Sequence, residues 1–366
     1  MSSGLLADWG TATGPTTSTP LQARFDVAGW GAALPERRVT NDELALRLDT
    51  SDAWISTRTG IRERRIGGPG ESTGPLAVAA ARDALVRARM MPNELDLVVV
   101  ATTTPEQPMP STAALVAAEL GTPAGAFDLN AACAGFVYGM VVCGSLIETG
   151  VARKVLLVGA DTLTRNVDPS DRGTAVLFGD GAGAVVLVRG EVGEADRPGT
   201  TTGSPGGLVA SDLVDDPEGA PLLSILAGGS ARPASLESLA AGEQHLRMDG
   251  PELFRRAVRA VSDSIVRTLD TAGYSPDDVD LFVPHQANAR IIDAVLARVG
   301  LDPERTVQTV DLHGNTSAAS VPLALNEIAE TGRLRDGSLV LVTGFGAGLT
   351  VGTGLLRWRT SRAPHE

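Results

Sequence analysis

A cysteine in a distinctive position is the first candidate for chemistry. Cys133 follows the strand-like segment GAFDLN and precedes the apolar segment AGFVYGMVVCGSLIE, so the pattern places it where a helix begins. There the helix dipole and the unpaired backbone N–H groups favour the thiolate over the thiol. We therefore expect Cys133 to be a nucleophile that forms a covalent intermediate. The alternative is a small buried side chain without a reactive role, which is our interpretation of Cys143 in the same segment.

A histidine and an asparagine in the second half of the chain are the other candidates. His285 ends the apolar segment LFVPH, where Pro284 interrupts the hydrogen-bond ladder of the strand. Ligands bind at the C-terminal ends of strands in α/β sheets, although a structural histidine is the alternative. Asn315 lies in HGNTSAAS just before a helical pattern, where an asparagine is also a common helix cap.

The elements that must position these residues occur twice along the chain. Apolar strands at 97–101 and 281–285 each follow a helical pattern, and the ETG triplets that end two later helical patterns lie 182 positions apart. Strands that alternate with helices indicate βαβ units and mostly parallel sheets. The shift of 182 places Cys133 opposite Asn315. The sequence therefore predicts a duplicated α/β protein whose site lies where the two halves meet.

Differences in composition divide the chain into four segments. Residues 1–22 are rich in Ser, Thr, Gly and Pro and contain no Lys or Arg, so we expect a disordered leader without a targeting signal. Residues 23–190 form the half that carries the cysteine. The Gly- and Pro-rich clusters of 191–242 predict an irregular connecting segment. Residues 243–366 form the half that carries the histidine and the asparagine.

Charge and cysteine content exclude several classes of function. The net charge of −13 disfavours a nucleic-acid partner or an anionic membrane surface. Only two cysteines occur, so a disulfide framework and a four-thiolate zinc site are both excluded, and a reduced cytoplasmic setting fits best. The most apolar stretch, 131–147, is too short to cross a membrane. Strand-like residues follow the glycine strings GDGAG and GFGAG, which is the wrong context for a dinucleotide site.

Five segments of the chain together resemble β-ketoacyl-acyl-carrier-protein synthase III. The resemblance covers about Ala23 to Arg357, in the family's order, and it implies the thiolase fold: two similar α/β halves stacked in five layers (αβαβα), normally as a homodimer. The segments are TSDAWISTRTGIRERR (50–65), NAACAGF (130–136), DPSDRGTAVLFGDGAGAVVL (168–187), VPHQANARI (283–291) and HGNTSAASVPLAL (313–325).

The resemblance implies a decarboxylating Claisen condensation that starts a fatty-acid or polyketide chain. Cys133 takes an acyl group from acyl-coenzyme A, and the backbone N–H groups of Cys133 and Ala347 form the oxyanion hole. Malonyl-acyl carrier protein then loses carbon dioxide, and His285 and Asn315 hold the enolate. The product is a 3-ketoacyl carrier protein. We expect no metal and no cofactor beyond these thioester substrates.

The resemblance also assigns binding residues for the substrates. Coenzyme A would be held by Trp54, Arg58, Arg172 and Asn288. The acyl pocket would be formed by Phe136, Phe345 and Met109, where Met109 reaches across the dimer into the partner's pocket. Basic side chains for docking the acidic carrier protein would be Arg255, Arg256, Arg259, Arg290 and Arg298, with an ordinary solvated helix face as the alternative.

Two other functions fit the same fold. An acyltransferase of specialised metabolism would move the acyl group from Cys133 to a hydroxyl or amine, but such a reaction needs no enolate site, so Asn315 argues against it. A non-catalytic partner subunit of a condensing heterodimer would not need the intact Cys133, His285 and Asn315.

Overall fold

The computed structural model describes residues 23–190 and 206–361. The expected leader lies outside the described residues. The strands are β1 Ala23–Ala33, β2 Arg38–Thr40, β3 Glu63–Arg65, β4 Leu97–Ala101, β5 Gly125–Leu129, β6 Lys154–Asp161, β7 Gly181–Arg189, β8 Gly207–Asp215, β9 Leu223–Ile225, β10 Leu246–Met248, β11 Leu281–Pro284, β12 Leu339–Gly346 and β13 Thr350–Arg357. The helices are α1 Asn41–Ala45, α2 Asp52–Thr59, α3 Thr73–Ala88, α4 Thr112–Leu120, α5 Gly135–Glu148, α6 Arg172–Ala175, α7 Leu236–Ala240, α8 Gly250–Ala272, α9 Ala289–Val299, α10 Val310–His313 and α11 Ser320–Glu330.

The main sheet shows the duplication directly. Its nine strands run in the order β11-β12-β13-β8-β1-β7-β6-β4-β5. In the first half β4 lies parallel to β5 and β6, and β7 and β1 continue antiparallel. In the second half β11 is parallel to β12, and β13 and β8 continue antiparallel. The halves meet where β1 pairs with β8, at Ala23 and Leu208.

Three helical layers cover and separate the two halves of this sheet. Helices α3 and α4 pack on the outer face of the first half, α8 and α9 on the outer face of the second, and α5 and α11 lie between them. Two apolar clusters fill the outer spaces, between each half of the sheet and its outer helices. A third fills both inner spaces around α5 and α11 and joins side chains of both halves. The duplicated thiolase fold with five layers, predicted from the sequence, is therefore confirmed.

Small side chains allow the layers to approach closely. A Cβ on Gly31 of β1 would lie 2.3 Å from the carbonyl oxygen of Ala80 in α3, and one on Gly139 of α5 would lie 2.6 Å from Leu157 of β6. The backbone contact makes glycine a requirement at position 31, whereas an added Cβ at position 139 would need the end of the Leu157 side chain to shift. Helix α5 packs in the central apolar cluster. Within the described residues, no helix is long and apolar enough to cross a membrane.

The expectation of an irregular connecting segment over 191–242 is wrong for part of its length. Residues 191–205 lie outside the described residues, but Gly207–Asp215 is the nine-residue strand β8. This strand pairs with β13 along its whole length, so it belongs to the second half. The glycine and proline clusters that suggested irregularity flank an apolar stretch, and the sheet supplies hydrogen-bond partners that local sequence does not reveal.

Candidate active site

Cys133 is held in a tight turn before the central helix α5. The preceding Ala132 has a left-handed φ of +48°, which is unfavourable for a residue with a Cβ. Strand β12 passes directly against the turn, since a Cβ on Gly346 would lie 2.5 Å from the backbone nitrogen of Cys133. Only 7% of Cys133 is exposed. The two halves of the molecule therefore fix the cysteine backbone together.

The electrostatic surroundings of Cys133 differ from the expectation. Burial raises the pKa of the Cys133 thiol to about 12, the hydroxyl of Ser317 lowers it, and the charge of Asp161 raises it further. The expected thiolate at a helix N-terminus is thus wrong for the protein without substrate. The helix begins only at Gly135, and burial, which disfavours a charged thiolate, has the largest effect on this pKa.

His285 lies at the end of β11, as the sequence predicts, and is buried. Its backbone N–H donates to the carbonyl of Thr343, 2.7 Å away, and its Nδ1 is 2.5 Å from the hydroxyl oxygen of Ser320. The imidazole and the Phe345 ring form a T-shaped contact, with 5.3 Å between centroids. Burial lowers the pKa of His285 to about 3, so the ring is neutral at physiological pH.

Asn315 is fixed by hydrogen bonds at both ends. Its backbone N–H donates to the carbonyl of Leu177 at 2.9 Å, and its own carbonyl accepts from Gly179 at 3.0 Å. The side-chain Oδ1 accepts from the backbone N–H of Ser317 at 2.9 Å. Because a backbone N–H can only donate, this contact fixes which end of the amide is the oxygen. The NH₂ group of Asn315 is then left as a donor for another acceptor. The cap positions of the helical turn 317–319 and of α11 are Thr316 and Ala319, so Asn315 itself is not a helix cap, and its functional role stays a prediction.

One cavity of about 130 Å³ brings the three candidates together. Cys133, His285 and Asn315 line it together with Phe345, as the sequence analysis predicts. Sequence reasoning missed most of the apolar wall, which is formed by Leu163, Leu177, Phe178, Leu223, Met248, Leu253, Phe254 and Ile291.

Three other predicted residues have different outcomes. Phe136, expected to line the acyl pocket, is fully buried in the central core and does not line the cavity, so that assignment is wrong. Met109 is 84% exposed and lies away from the cavity of its own chain. The wall contains Gly346, and Ala347 directly follows it, so the backbone donor of Ala347 stays a prediction.

The residues expected to hold coenzyme A form two groups. The guanidinium groups of Arg58 and Arg172 lie 4.6 and 4.7 Å from the centre of the Trp54 ring, which are cation–π distances. Asn288 lies apart from them, in the cavity wall, where it caps α9. Across the described ranges, no cluster of three or more His, Cys, Asp or Glu side chains could hold a metal ion.

The five arginines expected to dock a carrier protein are not equivalent. Arg256 contacts three carboxylates, those of Asp216, Glu218 and Glu252. Arg255, Arg259 and Arg298 also each pair with a carboxylate. Arg290 has no carboxylate within ion-pair distance in the described part of the chain, and its guanidinium lies 5.8 Å from the centre of the Phe254 ring in the cavity wall.

Comparisons with known proteins agree with this geometry. Residues 127–206 match the family 3-oxoacyl-[acyl-carrier-protein] synthase III, and residues 269–358 match its C-terminal family. A β-ketoacyl-[acyl-carrier-protein] synthase III of Roseiflexus sp. is 48% identical over 91% of this chain and 98% of its own length.

Solved structures show the same relationship. A 3-oxoacyl-(acyl carrier protein) synthase III from Pseudomonas aeruginosa is 46% identical and covers 93% of this chain and 100% of its own, with a TM-score of 0.81. The priming β-ketosynthase of the R1128 polyketide pathway is 36% identical and covers 95% of this chain and 100% of its own, with a TM-score of 0.82.

Proposed function

The chain belongs to the β-ketoacyl-acyl-carrier-protein synthase III family of condensing enzymes, and from this premise we propose that it joins an acyl-coenzyme A starter to malonyl-acyl carrier protein. The product is a 3-ketoacyl carrier protein that starts a fatty-acid or polyketide chain. The observation that carries the proposal is the single cavity lined by Cys133, His285 and Asn315.

The first half-reaction transfers the acyl group to Cys133. The cysteine sulfur attacks the thioester carbonyl, the bond to the coenzyme A sulfur breaks, and the thiol proton ends on that sulfur. The charge that develops on the carbonyl oxygen needs backbone donors, for which the N–H groups of Cys133 and Ala347 are our candidates. Coenzyme A leaves, and the acyl group stays on the enzyme.

The second half-reaction uses the two neutral donors. The bond between the malonyl carboxylate and its α-carbon breaks, carbon dioxide leaves, and the electron pair forms an enolate. The Nε2–H of His285 and the NH₂ group of Asn315 stabilise the enolate oxygen. The α-carbon then attacks the acyl-cysteine, and the sulfur leaves and regains a proton from water. Burial supports this role of His285, because its lowered pKa keeps the imidazole neutral.

Surface features support the proposed substrates. The Trp54 ring, with two guanidinium groups within cation–π distance, suits an adenine with its phosphates. Arg290, which is free of carboxylates among the described residues, is the best-placed contact for an acidic carrier protein. A cytoplasmic location fits these thioester substrates and the two free cysteines.

We also propose that the chain forms a homodimer through the edge strand β5. This strand ends the sheet, and its Phe127 is partly exposed. An open sheet edge is a natural site for pairing with a second copy. Such pairing would cover the edge and bring the exposed Met109 to the partner's acyl pocket.

Intact-mass measurement tests the proposed reaction. The protein is incubated with a panel of acyl-coenzyme A thioesters, and malonyl-acyl carrier protein is then added. We expect one acyl adduct that Cys133→Ala abolishes and Cys143→Ala retains, followed by release of carbon dioxide and a 3-ketoacyl carrier. Acylation without decarboxylation would instead indicate an acyltransferase, and no acylation by any donor would indicate a non-catalytic subunit.

A further inference from the structure

The buried thiol of Cys133 has one side-chain hydrogen-bond donor on its sulfur among the described residues. The hydroxyl of Ser317 donates to Sγ at 3.2 Å. Ser317 is fully buried, so water does not compete for its hydroxyl. A thiolate that forms in this cavity gains more from the hydrogen bond than the neutral thiol does, because bonds to charged acceptors are stronger.

The position of Ser317 is built by contacts on both sides. Its backbone has a left-handed φ of +53°, which a residue with a Cβ adopts only when its surroundings enforce it. Its own N–H donates to Oδ1 of Asn315 at 2.9 Å. The N–H of the next residue, Ala318, donates to Oδ2 of Asp161 at 3.0 Å. These two contacts aim the hydroxyl at the sulfur.

The buried Asp161 has two opposing effects on the cysteine. Its Oδ1 accepts from the hydroxyl groups of Thr102, Thr103 and Thr104 and from two backbone N–H groups. The negative charge of Asp161 raises the pKa of the Cys133 thiol, which opposes thiolate formation. The same carboxylate also holds the loop at Ala318 in place, and this loop carries the hydroxyl of Ser317 that donates to the Cys133 sulfur.

From this geometry we propose that Ser317 is a catalytic residue of the acylation half-reaction, donating a hydrogen bond to the Cys133 sulfur while that sulfur attacks the thioester. The bonds that form and break are those of the acyl transfer described above, and the Ser317 proton stays on Ser317. In the acyl-enzyme the thioester sulfur is a weak acceptor, so the hydroxyl contributes mainly before and during attack. The substrate of this step, acyl-coenzyme A, comes from the proposed function. The alkylation test below does not depend on that function.

Alkylation of the thiol by iodoacetamide tests the proposal without any acyl-coenzyme A. The rate is measured between pH 7 and 9 for the full chain, and peptide mass locates the modified cysteine. In this range the rate follows the thiolate fraction. Ser317→Ala should slow alkylation of Cys133 about tenfold or more at each pH, the loss expected from a hydrogen bond to a charged acceptor. Ser262→Ala, which removes another buried hydroxyl in α8, should leave the rate unchanged.

A second variant separates the hydroxyl from the backbone. Ser317→Gly also removes the hydroxyl but relaxes the left-handed backbone, so it should be slowed like Ser317→Ala and should fold at least as well. Alkylation at the wild-type rate in either variant would overturn the proposal. With acyl-coenzyme A as substrate, we expect slower acylation but nearly normal condensation from the preformed acyl-enzyme, and equal loss in both steps would show a merely structural role.

Discussion

Gly346 is the position where a single added carbon should disturb the nucleophile most. A Cβ there would lie 2.5 Å from the backbone nitrogen of Cys133 and 2.7 Å from the Cβ of Ala132. Ordinary contacts between such atoms are about 3.5 Å, so β12 and the cysteine turn must separate by about 1 Å. A displacement of this size at a reacting group costs about a hundredfold in rate, and overpacking costs about 1–3 kcal/mol of stability.

The assay compares Gly346→Ala with Gly354→Ala. A Cβ on Gly354, in the neighbouring strand β13, would meet only the tips of Val342 and Leu208, at 3.3 and 3.4 Å. Acylation by acyl-coenzyme A is followed by intact mass, and unfolding is measured at one protein concentration. We expect Gly346→Ala to acylate about a hundredfold more slowly while Gly354→Ala stays close to the wild type. Normal acylation by Gly346→Ala, or equal damage in both variants, would refute the reasoning.

Three further predictions concern the neighbours and the charge of the site. The proposed mechanism needs the proton of His285 on Nε2, the tautomer that a hydroxyl donating to Nδ1 favours. Ser320→Ala removes the hydroxyl 2.5 Å from Nδ1, so condensation should fall about tenfold while acylation is retained; loss of acylation would contradict this role. Burial lowers the pKa of His285 from 6.5 to about 3. Between these two pH values the unfolded chain binds a proton and the folded chain does not. The free energy of unfolding should therefore fall by about 1.4 kcal/mol for each pH unit below about 6.5. Denaturant unfolding at several pH values should show this slope in the wild type and a smaller one in His285→Asn, and identical slopes would argue against a buried neutral ring. Arg290→Glu should raise the KM for malonyl-acyl carrier protein several-fold and leave acylation by acyl-coenzyme A unchanged, whereas Arg255→Glu, whose guanidinium already contacts Glu252, should have less effect; the reverse order would place the docking surface elsewhere.

The sequence predicts the duplicated fold because its signals are local and repeated. The strand at 97–101 agrees with β4, and the helical pattern that precedes the second apolar strand agrees with α8. The 182-residue repeat that pairs Cys133 with Asn315 also agrees with the structure. Both residues lie shortly before the corresponding central helices, α5 and α11. Strand β8 was missed because its partners β1 and β13 are distant in sequence.

The site was predicted in its reactive residues but not in its surroundings. The thiol pKa of Cys133 depends on burial by the opposite half, which a helix-terminus argument does not include. The resemblance placed Phe136 in the acyl pocket, whereas the fold buries its side chain in the central core. Leu223 and Met248 line the cavity from the short strands β9 and β10, whose pairing no local pattern indicates. Phe178, in contrast, lies within the segment LFGDG and could have been selected from the resemblance.

The most direct test of the account is to measure the two half-reactions separately in Asn315→Ala. The account places the carboxamide on the enolate, which exists only after malonyl-acyl carrier protein has entered. Asn315→Ala also removes the acceptor for the Ser317 N–H, so acylation of Cys133 should slow by about tenfold at most, while release of carbon dioxide from the acylated enzyme falls by about a hundredfold or more. Equal loss of acylation and decarboxylation, or decarboxylation at the normal rate, would contradict the assignment of this cavity to condensation.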